Sequence, residues 1–366
     1  MRFAFLTELY YPHIGGQEVF FQELAEAMVR RGHTVDVYCI GDSSSLPADE
    51  VINNVRVRRN PLSDTYMKPI VPALRRSWWD VLKFCVGVRR QVVPQRYDYY
   101  LLNEWPLLHV NALPRKIRAR AAIHWCEIRD DAILGLAQKR LPPLVGSNFA
   151  VSAAVAGAIT EQSGQPCTVL PSGIELTRYR AADRSERSGA LYVGRLAPHK
   201  NLPLLIDAFT LATTRGFVGD LVIAGDGPAR PDIEIYAGRS PVAERIKVLG
   251  SVTEAQKIEL LSTAAVLGMP SQREGFPRVI AEAMASGLPV VTAKFGENGA
   301  KDVVAQYGAG VICGTDTADF AEALLTSQIQ WDTFSQAGIT GAQSLDWSGI
   351  AQTLEVRARE CSGKSQ

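Results

Sequence analysis

Residues 1–40 read MRFAFLTELYYPHIGGQEVFFQELAEAMVRRGHTVDVYCI, and this stretch decides the fold. Residues 2–7 are a short apolar run closed by a turn region, which predicts a buried strand. Pro12 and the pair Gly15-Gly16 follow. Val19, Phe20, Leu24, Ala27 and Met28 then recur at the spacing of one helical face. Gly32-His33 ends that helix, and Thr34–Ile40 is a second apolar strand. Strand, helix and strand in succession imply a parallel sheet with helices on its faces. A glycine pair between strand and helix permits close backbone approach, and a helix start offers unpaired N–H groups to a phosphate. The pair serves a plain tight turn equally well. It is not the GxGxxG dinucleotide fingerprint, because no third glycine is correctly placed.

Working outward, apolar runs at 99–102 and 120–125, then Asn148–Ser152 and Thr168–Leu170, continue the same sheet. Ala181–Ser188 (AADRSERS) is short and polar, and predicts a linker. A second series begins beyond it. Strands are expected at Ala190–Val193, Leu221–Ala224, Lys247–Leu249, Ala265–Met269, Val290–Thr292 and Gly310–Cys313, with helices at Leu202–Ala212 and Glu254–Thr263. The simplest architecture is α/β, with two doubly wound domains, 1–180 and 181–345, facing one another across a cleft. A chain of 366 residues with 46% hydrophobic and 21% charged side chains has enough material for two cores.

The net charge of +1 argues against a dedicated nucleic-acid partner. Residues 56–120 nevertheless hold 14 basic and 4 acidic side chains. Within them, Pro69–Arg90 places Leu74, Trp78, Val81, Leu82, Cys85 and Val88 beside Arg75, Arg76, Lys83, Arg89 and Arg90. Such an amphipathic basic helix suits an anionic membrane surface or an ordinary core-facing position. The six cysteines are scattered without CxxC or zinc-type spacing, which fits reduced thiols in a cytoplasmic protein. The N-terminal apolar run is too short for a signal peptide, and no run of about 18 apolar residues spans a membrane.

Four sets of residues carry chemistry. Glu274 lies in a turn-like patch and Glu282 eight positions on, in the helix that follows. Two carboxylates so placed reach along one hydroxyl-rich ligand, since carboxylates accept from neutral hydroxyls. Arg195 and Lys200 flank the loop after the strand Ala190–Val193. Cations at the carboxyl end of a strand neutralise a diphosphate, Arg in bidentate fashion and Lys as a point charge. Gly225-Asp-Gly-Pro228 ends another strand and is a turn near the same place. His124 closes an apolar run in the first half, as a sugar contact at the cleft edge or a structural histidine.

Taken together and in this order, these residues resemble the retaining glycosyltransferases of family 4, which have the GT-B architecture of two Rossmann-like domains. The resemblance covers nearly the whole chain. It rests on Gly15-Gly16, His124, Pro171-Ser-Gly-Ile-Glu175, Gly194-Arg-Leu196 with Lys200-Asn201, Gly225-Asp-Gly-Pro228, Leu249-Gly250, Pro270-Ser271, the run from Glu274 through Glu282 to Val290, and Asp346-Trp347. It implies that Gly15 and Gly16 approach the donor phosphates and that Arg195 and Lys200 bind a nucleotide-sugar diphosphate. It implies that Glu274 and His124 contact the transferred sugar and that Glu282 bonds the ribose. Gly225, Leu249, Gly275, Phe276, Pro277, Arg278 and Val279 complete the implied donor site. Residues 346–366 would be a C-terminal helix crossing back onto the first domain. Two positions depart from the family pattern: Ser172 stands where asparagine is usual, and Pro277 stands where glycine is usual and removes one N–H.

The implied reaction transfers a hexose from a UDP- or GDP-linked donor to a hydroxylated acceptor, with retention and without a metal or other cofactor, in glycan, glycolipid or glycosylated-metabolite synthesis. The implied location is the cytoplasm, with peripheral contact at the inner face of a membrane if the basic helix binds lipid. Two alternatives stay open: a non-hydrolysing nucleotide-sugar 2-epimerase of the same fold, and a non-catalytic nucleotide-sugar-binding protein. An NAD oxidoreductase is disfavoured by the missing fingerprint.

Overall fold

A computed structural model of the chain describes residues 1–13, 15–68, 76–128 and 134–363. The chain divides into two compact units, Met1–Gly173 with Trp347–Gln366, and Ile174–Asp346.

The first unit is built on β1 (Arg2–Leu6), β2 (Thr34–Gly41), β3 (Asp49–Ile52), β4 (Val55–Leu62), β5 (Tyr99–Asn103), β6 (Ala121–Trp125), β7 (Ser147–Ala150) and β8 (Thr168–Val169). Their order across the sheet is β3-β4-β2-β1-β5-β6-β7-β8. Only β3 and β4 pair antiparallel among the described residues. Helices α1 (Gly16–Arg30), α2 (Trp78–Gln91), α3 (His109–Ala112), α4 (Arg115–Arg118), α5 (Leu134–Arg140) and α6 (Ala153–Ser163) link the strands. The central strands are near-continuously apolar because a parallel sheet is covered on both faces. Phe3, Phe5 and Leu101 in them are fully buried.

The β3–β4 hairpin is a feature the apolar runs did not predict. Its turn is Asn53-Asn54, at φ 49° and 65°, the left-handed region that asparagine tolerates and that two-residue hairpin turns require. In α2, Val81, Phe84 and Val88 face the core. The first part of the predicted basic helix, residues 69–75, lies outside the described residues.

The second unit has β9 (Ala190–Val193), β10 (Leu221–Ala224), β11 (Ile246–Gly250), β12 (Val266–Met269), β13 (Val290–Ala293) and β14 (Gly310–Cys313). All are parallel, in the order β11-β10-β9-β12-β13-β14. Its helices are α7 (Leu202–Thr214), α8 (Arg230–Gly238), α9 (Glu254–Thr263), α10 (Arg278–Ala285), α11 (Ala300–Tyr307), α12 (Thr317–Ile329) and α13 (Trp331–Ala342).

The segment 181–188 is not a linker. Its Arg187 is buried and donates to the carbonyls of Ala182 (3.1 Å), Leu261 (3.0 Å), Ala264 (2.9 Å) and Ser286. Three of these carbonyls end α9 and α10, where the last turns lack intrahelical donors. The guanidinium also lies over the Trp331 ring. Its polar sequence conceals this role because each acceptor is a backbone group distant in the chain. The second unit instead begins at Ile174, which is fully buried and donates its N–H to Leu345 O at 2.9 Å.

The last helix, α14 (Trp347–Ser362), belongs to the first unit. Trp347, Ile350, Ala351, Leu354 and Ala358 form one helical face within that unit's core. Trp347 donates from Nε1 to Glu23 at 2.7 Å. Gly173 lies against its indole, so closely that a Cβ there would fall 2.5 Å from the ring. The glycine of Pro171-Ser-Gly and the tryptophan of Asp346-Trp347 are therefore one packing feature.

Candidate active site

In the second sheet β9 and β12 are neighbours, although two strands intervene between them in the chain. The strand order reverses there, and open parallel sheets bind ligands beyond the carboxyl ends of such strands. The loop after β9 carries Arg195 and Lys200, and the loop after β12 carries Glu274 and leads into α10. Gln272 N–H donates to His199 O at 2.9 Å and ties the two loops together. The β9 loop also touches the neighbouring turn. Gly225 has φ 144°, and a Cβ on it would lie 1.9 Å from Gly194 O. Gly225 thus permits backbone-to-backbone contact at the base of the site.

Lys200 Nζ donates to Glu274 Oε1 at 2.6 Å, with their side chains 16% and 10% exposed. The candidate diphosphate cation and the candidate sugar carboxylate are therefore partners in this structure. Glu282, in α10, is buried and accepts from Lys257 Nζ at 2.9 Å. Arg195 is exposed. His199 has its pKa lowered by burial first, then by the positive charges of Lys200, Arg273 and Arg195, with Glu274 opposing. One imidazole thus registers three cations around it. Neither Lys257, His199 nor Arg273 stood out in the sequence, because each is an isolated basic residue without a motif.

The Glu274 loop is clasped by the segment after β13. Glu274 N–H donates to Glu297 O (3.0 Å) and Gly299 N–H to Glu274 O (2.8 Å). Asn298, fully buried, donates to Thr292 Oγ1 (3.0 Å) and Ala293 O (2.8 Å) and accepts from Ala300 N–H (3.1 Å). Gly275 O lies 2.2 Å from where a Cβ on Gly299 would sit. Phe276 and Val279 pack on the core, and buried Pro277 is the N-cap residue of α10, which has no side-chain cap there. Arg278 opens the helix. Leu249 is exposed at the end of β11.

In the first unit, β1 and β5 are the corresponding neighbours. Gly15 caps α1 in extended backbone, and nothing stands within 4 Å of a Cβ on Gly16. The Glu18 carboxylate folds over Gly15. Glu104, just past β5, accepts from Cys126 N–H (3.0 Å) and Gln17 Nε2 (3.2 Å). Burial pushes its pKa up to about 7, with Glu127 adding to the rise. It links the glycine loop to the end of β6, and its solitary position between Asn103 and Trp105 gave no sequence signal.

His124 requires a correction. It is fully buried, stacks on Phe20 at 4.1 Å, and places Nε2 2.9 Å from Leu170 O and Nδ1 3.3 Å from Cys126 Sγ. Burial lowers its pKa to about 4 against the opposing Leu170 carbonyl. With both ring nitrogens engaged and no exposed surface, the side chain presents no group to a sugar in this conformation. It joins β6 to the segment after β8. A strand-end histidine looks identical in sequence whether it points along the strand or into a core.

Two parallel α/β units of this topology define the GT-B class of glycosyltransferases. Residues 15–190 match the glycosyl transferase 4-like domain and residues 177–330 match glycosyl transferases group 1. The chain belongs to family 4 of the GT-B glycosyltransferases. It is 25% identical to D-inositol 3-phosphate glycosyltransferase of Nocardia farcinica over 93% of this chain and 83% of that protein. It is 32% identical to alpha-D-kanosaminyltransferase of Streptomyces kanamyceticus over 41% of each chain. The structure of Anabaena HepE in complex with UDP-glucose superposes with a TM-score of 0.72 at 19% identity, covering 98% of this chain and 100% of that one.

Proposed function

We propose that this glycosyltransferase moves a hexosyl group, with retention, from a UDP- or GDP-linked sugar to an acceptor hydroxyl. The observation that carries the proposal is the Lys200–Glu274 pair at the strand-order reversal, with Arg195 exposed beside it. Diphosphate oxygens would take over Lys200 and Arg195, while Glu274 turns to the sugar hydroxyls and Glu282 to the ribose. Gly15 and Gly16 would offer backbone N–H groups to the donor phosphates. HepE, of the same fold, was solved with UDP-glucose, which supports a nucleotide-sugar donor.

Cleavage of the anomeric C–O bond develops positive charge on the sugar and leaves the electron pair on the departing phosphate oxygen. Arg195, Lys200 and the amides at the start of α10 would stabilise that growing charge, where stabilisation accelerates reaction. The new C–O bond forms on the same face, and the departing phosphate oxygen takes the acceptor proton. The cations thereby supply the charge compensation that a metal would otherwise give.

We also propose that α2 contacts an anionic membrane from the cytoplasmic side. Trp79, Leu82 and Val86 share an exposed face with Lys83 and Arg90, around a groove of about 450 Å³. The acid of this helix, Asp80, is buried against Ser63 and Lys83. Apolar side chains beside Arg90 and the half-exposed Lys83, which Asp80 partners from the buried side, suit anionic headgroups. No helix among the described residues is long and apolar enough to cross a membrane.

The testing experiment incubates the protein with UDP-, GDP- and ADP-sugars, with and without sugar, inositol and lipid acceptors. Transfer predicts nucleoside diphosphate release that depends on an acceptor. Acceptor-free production of an epimeric nucleotide sugar would support the epimerase, and an intact donor under every condition would support a binding protein.

A further inference from the structure

Glu282 sits inside α10 with its side chain 5% exposed. A carboxylate so enclosed is costly unless a cation or donor meets it. The group that meets it is Lys257, from another helix, with Nζ 2.9 Å from Oε1. No other hydrogen bond reaches the Glu282 carboxylate among the described residues, so Oε2 remains available.

Lys257 is itself held on two sides. It lies in the first turn of α9, which a reciprocal capping box fixes: Gln256 N–H donates to Thr253 Oγ1 at 3.3 Å and Thr253 N–H to Gln256 Oε1 at 2.9 Å. Glu254 Oε2 reaches the same ammonium at 3.1 Å from the solvent side, its side chain 54% exposed. The ammonium thus has a defined place, and one of its donors is spent on one Glu282 oxygen.

We propose that Lys257 is a positioning residue for Glu282. It holds Oε1, so that Oε2 is presented in a fixed orientation to the vicinal hydroxyls of the donor pentose. This rests on the assignment of Glu282 to the ribose made above. Lys257 acts through the carboxylate and has no contact of its own with the reacting sugar. A carboxylate fixed before the ligand arrives loses less rotamer freedom on binding.

The test is a set of dissociation constants for UDP, GDP and their 2′,3′-dideoxy analogues, using whichever base binds more tightly. In the native protein, loss of both hydroxyls should weaken binding about tenfold or more, since each hydrogen bond to a charged group is substantial. In Lys257→Met that penalty should shrink to about threefold or less, as expected for coupled groups. Lys257→Arg should restore most of it. For turnover, Lys257→Met should raise the donor KM about tenfold while kcat changes by less than about threefold. Lys257→Gln, polar and neutral, should behave as Lys257→Met does and serves if the methionine variant fails to fold. A native-size penalty in either folded neutral variant overturns the proposal. Glu282→Gln separates the two layers. If it too keeps the native penalty, the ribose assignment fails and the Lys257 role falls with it. If it loses the penalty while Lys257→Met keeps it, only the Lys257 role is wrong.

Discussion

Lys200 and Glu274 neutralise one another at 2.6 Å while both remain partly exposed at a strand end. The pair is mostly enclosed, so removing one member leaves the other's charge poorly compensated and costs some stability. Transfer should fall about a hundredfold or more, the usual scale for losing a group aimed at transition-state charge. Purified Lys200→Ala and Glu274→Ala, checked to be folded at the assay temperature and assayed for kcat/KM, test this. Native turnover in either would remove that residue from the mechanism. Glu104 offers a prediction of different kind. Its folded-state pKa is raised by burial from 4.5 to about 7, so the protonated form is favoured by folding. Its contribution is complete below about pH 4.5 and is lost as pH rises through about 7. Glu355 acts in the opposite window: burial opposes ionisation but Arg359, Arg31 and His33 outweigh it and hold the pKa at about 2. Urea unfolding between pH 5 and 7.5 should show the native protein losing stability relative to Glu104→Gln as pH rises, a difference free of the opposite trend that the buried His124 gives to both proteins. An unchanged slope would contradict the assignment.

Elements with a strong local pattern were legible without coordinates. The strand–helix–strand unit of residues 1–40 has apolar runs separated by glycine, and β1, α1 and β2 follow them closely. The β3–β4 hairpin was missed although Asn53-Asn54 between alternating residues carried the turn signal. The polar segment 181–188 was misread because the acceptors of Arg187 are backbone carbonyls, which leave no trace in side-chain composition. Arg187→Met should cost about 3 kcal/mol, since it strands four buried carbonyls at once; a denaturation midpoint unmoved by the change would show those carbonyls to be satisfied otherwise. Helix α2 was legible only as amphipathic. Its sequence did not say that Val81, Phe84 and Val88 would take the core and leave Trp79, Leu82 and Val86 outside. If that face meets lipid, the protein should float with vesicles containing anionic phospholipid and stay behind with neutral ones. Trp79→Ser with Lys83→Glu should abolish flotation, and equal behaviour with both vesicle types would dispose of the membrane contact.

For the whole molecule, family and fold were accessible because the motifs sit at strand ends, and strand ends repeat in order along a doubly wound chain. Glu274, the two cations and the glycines of the second unit do lie on neighbouring loops, with Glu282 in the helix that follows. His124 did not follow, since direction along a strand depends on what packs against it. Lys257 was invisible for a similar reason: 25 residues separate it from Glu282, and only the sheet brings α9 and α10 together. The central claim is that the second unit grips the diphosphate of an activated sugar at the reversal between β9 and β12. Crystals soaked with UDP-glucose or GDP-mannose test it directly. The expected density places the diphosphate on Arg195 and Lys200, the sugar on Glu274 and the ribose on Glu282. Density for an ordered nucleotide sugar bound elsewhere, with the Lys200–Glu274 pair intact, would contradict it.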